Sequence, residues 1–163
     1  KGVEEFIEIA KLLESNIDIS FTLVINATQK DVNIYFRDKD LTHNIKILSS
    51  QSDVIPFYNK ASLVMNLSHV DAWVETFGLT ILEAMAFGIP VIVPPVGGPT
   101  EIVTDGIEGY LISSYETSSI AEKIKTLSLD KAEWLRLSKN ALMRSKDFNE
   151  KVFNNKLIEV LNA

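Results

Sequence analysis

Short β-branched runs alternate along this chain with stretches whose apolar residues recur at helical spacing, and that alternation leaves few architectures open. It predicts an α/β fold, a Rossmann-like parallel sheet with crossover helices on both faces. The expected strands lie at 21–25, 45–48, 62–67, 90–93 and 109–112. The expected helices lie at 3–13, 30–41, 54–60, 79–87, 99–103, 118–127, 131–145 and 150–161. In the first of these, Val3, Phe6, Ile7, Ala10 and Leu13 share one face, with charges opposite. The 30–41 segment is strongly charged and reads as an outer element. Gly88 is placed to end the 79–87 helix, and Pro99 to begin a short one.

At 163 residues the chain suits one domain, 1–163, with no internal linker or repeat. Hydrophobic residues at 46% and charged residues at 23% exclude a disordered chain. A net charge of -6, with no basic stripe, argues against nucleic acid as a partner. There is no cysteine, so disulfides and thiolate zinc sites are excluded, and a reducing compartment fits. His43 and His69 are too far apart in sequence to suggest a metal cluster. No apolar run reaches the length of a membrane span, and no signal peptide is visible. Lys1 is not an initiator methionine, so the sequence reads as part of a longer chain.

The acid at Glu83 is the first pointer to chemistry. It stands in Leu79-Thr80-Ile81-Leu82-Glu83-Ala84-Met85-Ala86-Phe87, apolar on nearly every side and therefore expected to be a buried helix. A carboxylate there is expected to be buried and to need polar partners. Glu75 lies eight residues earlier, ahead of Thr76-Phe77-Gly78, and Gly78 allows the backbone close approach. A helix start after a glycine turn is an anion site, because free amides and the positive dipole end both favour phosphate. Gly78, Leu79 and Thr80 would present those amides. In open α/β sheets ligands bind beyond the carboxyl ends of strands, where the loops after Leu67 and Val93 open.

The run from Glu75 to Ile92, with two glutamates separated by seven residues, resembles the Glu-x7-Glu signature of retaining glycosyltransferases of family four, the glycogen-synthase-like group 1 enzymes. Val96-Gly97-Gly98-Pro99-Thr100-Glu101-Ile102-Val103, then Asp105-Gly106 and Gly109-Tyr110-Leu111-Ile112, are similar to that family's pattern in order and spacing. Lys1-Gly2 resembles the pair that opens the first helix of the same domain.

The resemblance implies the C-terminal, donor-binding half of a GT-B enzyme, with a nucleotide-sugar donor (a UDP- or GDP-sugar), no cofactor and no metal ion. Glu75 would be the catalytic candidate and would hold hydroxyls of the donor sugar. Glu83 would accept from the ribose. Backbone at Phe77, Gly78, Leu79 and Thr80 would cradle sugar and diphosphate, and Lys1 would neutralise the diphosphate. Gly97 and Gly98 are open between a plain turn and loop contacts to the ligand. Trp73 is open between a lid and a core anchor, His69 reads as a solvated histidine, and Glu101 as support for its turn.

In the family strand order a further, central strand lies between 21–25 and 62–67. It falls outside this chain, as do an arginine site and the N-terminal acceptor domain that would be the partner. An interrupted sheet is therefore expected, as is a fragment that transfers nothing alone. The family's glycine-rich turn after the second strand is replaced by Asn26-Ala27-Thr28, and its later glycine by Ser49-Ser50-Gln51. The loop 69–74 resembles a subset that assembles envelope polysaccharide. The implied place is the cytoplasm, peripheral at the inner membrane face through the absent domain. The alternatives are a non-catalytic nucleotide-sugar-binding or regulatory domain on the same fold, and an epimerase, for which no adequate acid/base set is seen.

Overall fold

The computed structural model describes residues 2–16, 18–72 and 74–161. Strands β1 (Phe21–Val24) and β2 (Ile45–Leu48) pair in parallel, with Phe21 opposite Ile45. Strands β3 (Val64–Met65), β4 (Val91–Val93) and β5 (Gly109–Leu111) form a second parallel sheet in that order. Among the described residues no ladder joins the two sheets. The described strands thus form two separate parallel sheets, as an interrupted sheet would. Phe21 and Leu23 nevertheless share a core with Met65, Leu67 and Ile92.

Helices α1 (Val3–Leu12) and α6 (Thr117–Leu129) pack together on one side, and α4 (Leu79–Ala86) and α7 (Lys131–Ser145) on the other. Strand β4 shows why. Ile92 enters the core with Phe6, Ile9 and Ile120, whereas Val91 and Val93 enter the core with Ile81, Met85 and Ala141. Successive side chains point to opposite faces of a strand, so a run buried on both faces must be apolar throughout. Each such fully buried side chain contributes about 1.5–3 kcal/mol relative to exposure.

Several elements are shorter than expected. Helix α2 spans Gln29–Phe36 rather than 30–41. Val32 and Phe36 are its buried residues, and the following Arg37-Asp38-Lys39-Asp40 has no apolar stripe to continue. Lys39 pairs instead with Glu4, and Lys11 with Asp40 at 2.8 Å, tying the turn to α1. Strand β3 keeps two residues of the expected six because it has a ladder on one side only. The amides of Val64 and Asn66 still donate to Pro90 and Ile92 carbonyls, at 3.1 and 2.9 Å. Helix α3 covers Ile55–Tyr58, α5 covers Pro99–Ile102, and α8 covers Glu150–Leu161. The end of α4 follows the expected glycine cap: the Gly88 amide donates to Met85 O at 2.9 Å and the Ile89 amide to Ala84 O at 3.0 Å.

No helix among the described residues is long and apolar enough to cross a membrane.

Candidate functional site

The loop after β3 and the start of α4 bring most of the expected site residues together. Asn66, just past the strand, donates from Nδ2 to Glu75 Oε2 at 3.3 Å, while its Oδ1 accepts from the Ser68 amide at 3.0 Å. Glu75 is half-buried. Its own carbonyl accepts from the Gly98 amide at 3.0 Å, which ties the loop to the turn after β4.

That turn can lie so close only because it carries glycines. A Cβ on Gly98 would overlap the Thr76 carbonyl and lie 2.7 Å from Phe77 Cα. One on Gly97, where φ is 72°, would strike the Glu75 carbonyl and lie 2.6 Å from a Val74 methyl. Gly97 and Gly98, left open by the sequence, thus serve the structure by seating the backbone that carries Glu75.

Gly78 caps α4 with φ 88°, and no side chain caps that end. The Ile81 and Leu82 amides fold back onto the Gly78 carbonyl, at 2.9 and 3.3 Å. Leu79 and Thr80, the first residues of the helix, precede any residue whose amide has an intrahelical acceptor. Phe77, Leu79 and Thr80 are all exposed, Leu79 at 66%. The result is an open helix mouth with Glu75 beside it. Among the described residues, no group of three His, Asp or Glu is placed to share a metal ion.

Glu83 contradicts the burial expectation. It is exposed, not embedded. Helix α4 buries only Ile81, Ala84 and Met85, a single stripe at i, i+3 and i+4, and turns Leu79, Thr80, Glu83, Ala86 and Phe87 outward. The sequence looks apolar all round because Leu79 and Phe87 are large hydrophobics on the open face. Glu83 is nonetheless held in place. Tyr58 of α3 donates its hydroxyl to Glu83 Oε2 at 2.7 Å, and its ring stacks on Phe87 with centroids 5.3 Å apart. Burial raises the Tyr58 phenol above its ordinary pKa, and the hydrogen bond and charge of Glu83 raise it further. Sequence reasoning missed Tyr58: it lies twenty-five positions from Glu83 and reads as one more core aromatic in a short helix.

His69 is also not simply solvated. Its Nε2 lies 2.9 Å from Glu5 Oε1 of α1, and its ring packs against Tyr115, whose hydroxyl donates to Asp71 at 2.7 Å. The start of the Glu75 loop is thereby tied to α1 and to the lead-in of α6. His69→Ala is expected to lower Tm by about 2–4 °C, the scale of ~1 kcal/mol in a domain of this size; thermal unfolding checks it. Lys1 and Trp73 lie outside the described residues. Glu101 is exposed on α5, and it is its main-chain carbonyl, not its carboxylate, that accepts from Arg144 at 2.7 Å.

Solved structures share this fold. Anabaena HepE in complex with UDP superposes with a TM-score of 0.82 at 26% identity, over 99% of this chain and 45% of that one. The C-terminal domain of a Francisella tularensis glycosyl transferase group 1 protein, LpcC, gives 0.74 at 28% identity, over 91% of this chain and 79% of that one. Both place the fold among GT-B C-terminal domains. Among curated proteins, sucrose-phosphate synthase from Spinacia oleracea is 36% identical over 92 residues, 56% of this chain. Sucrose synthase from Denitrovibrio acetiphilus is 42% identical over 74 residues, 43% of this chain. Those matches span 9% of either relative's length. Residues 1–144 match one family along nearly the whole of the described fold, and the chain belongs to it: the glycosyl transferases group 1.

Proposed function

We propose that this chain is the donor-binding half of a retaining, metal-independent hexosyltransferase that uses a nucleotide sugar. The observation that carries the reading is the uncapped start of α4 with two carboxylates, Glu75 against Gly78 and Glu83 on the exposed face of the helix itself. HepE holds UDP in one structure and UDP-glucose in another, which favours a UDP-sugar over a GDP-sugar here.

In this reading the diphosphate sits on the leading amides at Gly78, Leu79 and Thr80, with Phe77 backbone along the sugar and Lys1 supplying a cation. Ribose hydroxyls donate to Glu83. Sugar hydroxyls donate to Glu75, which anchors the ring while the bond from the anomeric carbon to the phosphate oxygen breaks. Negative charge grows on the departing diphosphate, and amides aimed at it lower the barrier by about 3–4 kcal/mol for each well-placed donor. The acceptor hydroxyl attacks the face the diphosphate leaves and gives its proton to the departing phosphate oxygen, so configuration is kept. Acceptor binding belongs to a separate N-terminal domain, and the loop 69–74 points to polysaccharide of the cell envelope, assembled at the cytoplasmic membrane face.

The test is transfer by the complete enzyme from a panel of UDP- and GDP-sugars, with product configuration read by NMR. An α-linked product from an α-linked donor is expected; an inverted product would overturn retention. Residues 1–163 alone are expected to bind donor weakly and transfer nothing, because one half of a cleft cannot hold both substrates in attack geometry. Measurable transfer by that piece would contradict the division of labour. Binding without transfer by the complete protein would make it a nucleotide-sugar binder instead.

A further inference from the structure

Glu83 presents a problem that burial would have solved. An exposed glutamate on a helix samples several rotamers, and ordering it on ligand binding costs entropy. Tyr58 addresses this. Its ring packs against the α4–β4 core on one side and stacks on Phe87 on the other, so the phenol is fixed by contacts that do not involve Glu83. From that rigid support the hydroxyl reaches across from α3 and donates to Glu83 Oε2 at 2.7 Å. A carboxylate offers about four lone-pair directions. The phenol takes one of them on Oε2, and among the described residues no other hydrogen-bond partner of the carboxylate is seen, which leaves Oε1 and the second direction on Oε2 for donors from outside.

We propose that Tyr58 is a positioning residue for nucleotide recognition: it pre-orders Glu83 so that the carboxylate can receive the vicinal hydroxyls of a ribose. The inference rests on the reading of Glu83 as the ribose acceptor and adds the group that makes an exposed acid selective. Tyr58 touches neither the diphosphate nor the sugar in this arrangement. Its removal therefore weakens ligands that carry ribose and spares those that do not.

The experiment is calorimetric titration of the complete protein with UDP and, separately, with inorganic pyrophosphate, for wild type, Tyr58→Phe and Glu83→Ala. Tyr58→Phe keeps the stack on Phe87 and removes only the hydroxyl, so Tm should fall by no more than about 2–4 °C, the scale of one hydrogen bond in a domain of this size. UDP is expected to bind about 3- to 10-fold more weakly to Tyr58→Phe, the scale of one immobilised side chain, with pyrophosphate unchanged. Glu83→Ala should lose at least as much for UDP. Wild-type UDP affinity in Tyr58→Phe beside a clear loss in Glu83→Ala would overturn the role of Tyr58 while leaving Glu83 in place. Equal weakening of UDP and pyrophosphate in Tyr58→Phe would also overturn it, since a general disturbance of α4 would then suffice. Unchanged UDP binding in Glu83→Ala would remove the ribose reading itself, and the proposal with it.

Discussion

Glu75→Gln is expected to lower kcat/KM for sugar transfer by roughly 100-fold while leaving the fold intact, with hydrogen bonds to a charged group at ~1.5–3 kcal/mol and tenfold in rate for each ~1.4. The substitution keeps size and shape. The amide oxygen of glutamine can still accept from Asn66 Nδ2, and the main-chain bond from Gly98 to the residue 75 carbonyl is untouched. What disappears is the negative charge. A neutral amide forms weaker bonds to sugar hydroxyls and does less to stabilise positive charge building at the anomeric carbon. Steady-state rates with a saturating acceptor, beside thermal unfolding, check both halves. A Glu75→Gln enzyme with near-normal kcat/KM would show that this carboxylate is an incidental neighbour of the site.

Gly98→Ala is expected to harm stability and activity together. The added methyl meets backbone at Thr76 and Phe77, which cannot swing aside as a side-chain tip could. Either the turn after β4 or the Glu75 loop must shift. Overpacking of this kind costs about 1–3 kcal/mol, or roughly 2–12 °C in Tm for a domain of this size. A displacement of ~1 Å at a positioning element costs on the order of 100-fold in rate. Gly106→Ala provides the contrast. Its φ of 72° makes alanine strained, yet nothing lies within 4 Å of the new methyl. Gly106→Ala should therefore lose some stability and keep transfer close to normal, whereas Gly98→Ala should lose both.

These two glycines also show how far the sequence could be read. The order of strands and helices was legible because local patterns agree with the fold: β4 is apolar throughout since both its faces are covered, and α1 carries one clean stripe. Element ends were harder. Lys30 to Leu41 has helical propensity beyond Phe36, but the charged residues there pair with Glu4 and Lys11 of α1 instead of extending α2. Spacing and the glycine turns in register single out Glu75, Gly78 and Glu83, and the structure sets Glu75 against Gly78 and Glu83 on the exposed face of α4.

Burial is not what singles out Glu83, since the acid stands on the open face of α4. Side-chain pattern alone cannot separate a helix buried all round from one whose outer face carries exposed Leu79 and Phe87. Tyr58 and the pairing of His69 with Glu5 were invisible for a related reason. Both contacts join elements distant in sequence, twenty-five and sixty-four positions apart, and no local spacing encodes them.

We propose that the open start of α4, with Glu75 and Glu83 beside it, holds the donor nucleotide. A crystal structure of the complete protein with UDP bound tests it most directly. Diphosphate oxygens are expected within hydrogen-bonding distance of the Leu79 and Thr80 amides, and ribose hydroxyls on Glu83 with the Tyr58 contact kept. UDP bound elsewhere on the domain, with the mouth of α4 left to solvent, would contradict it.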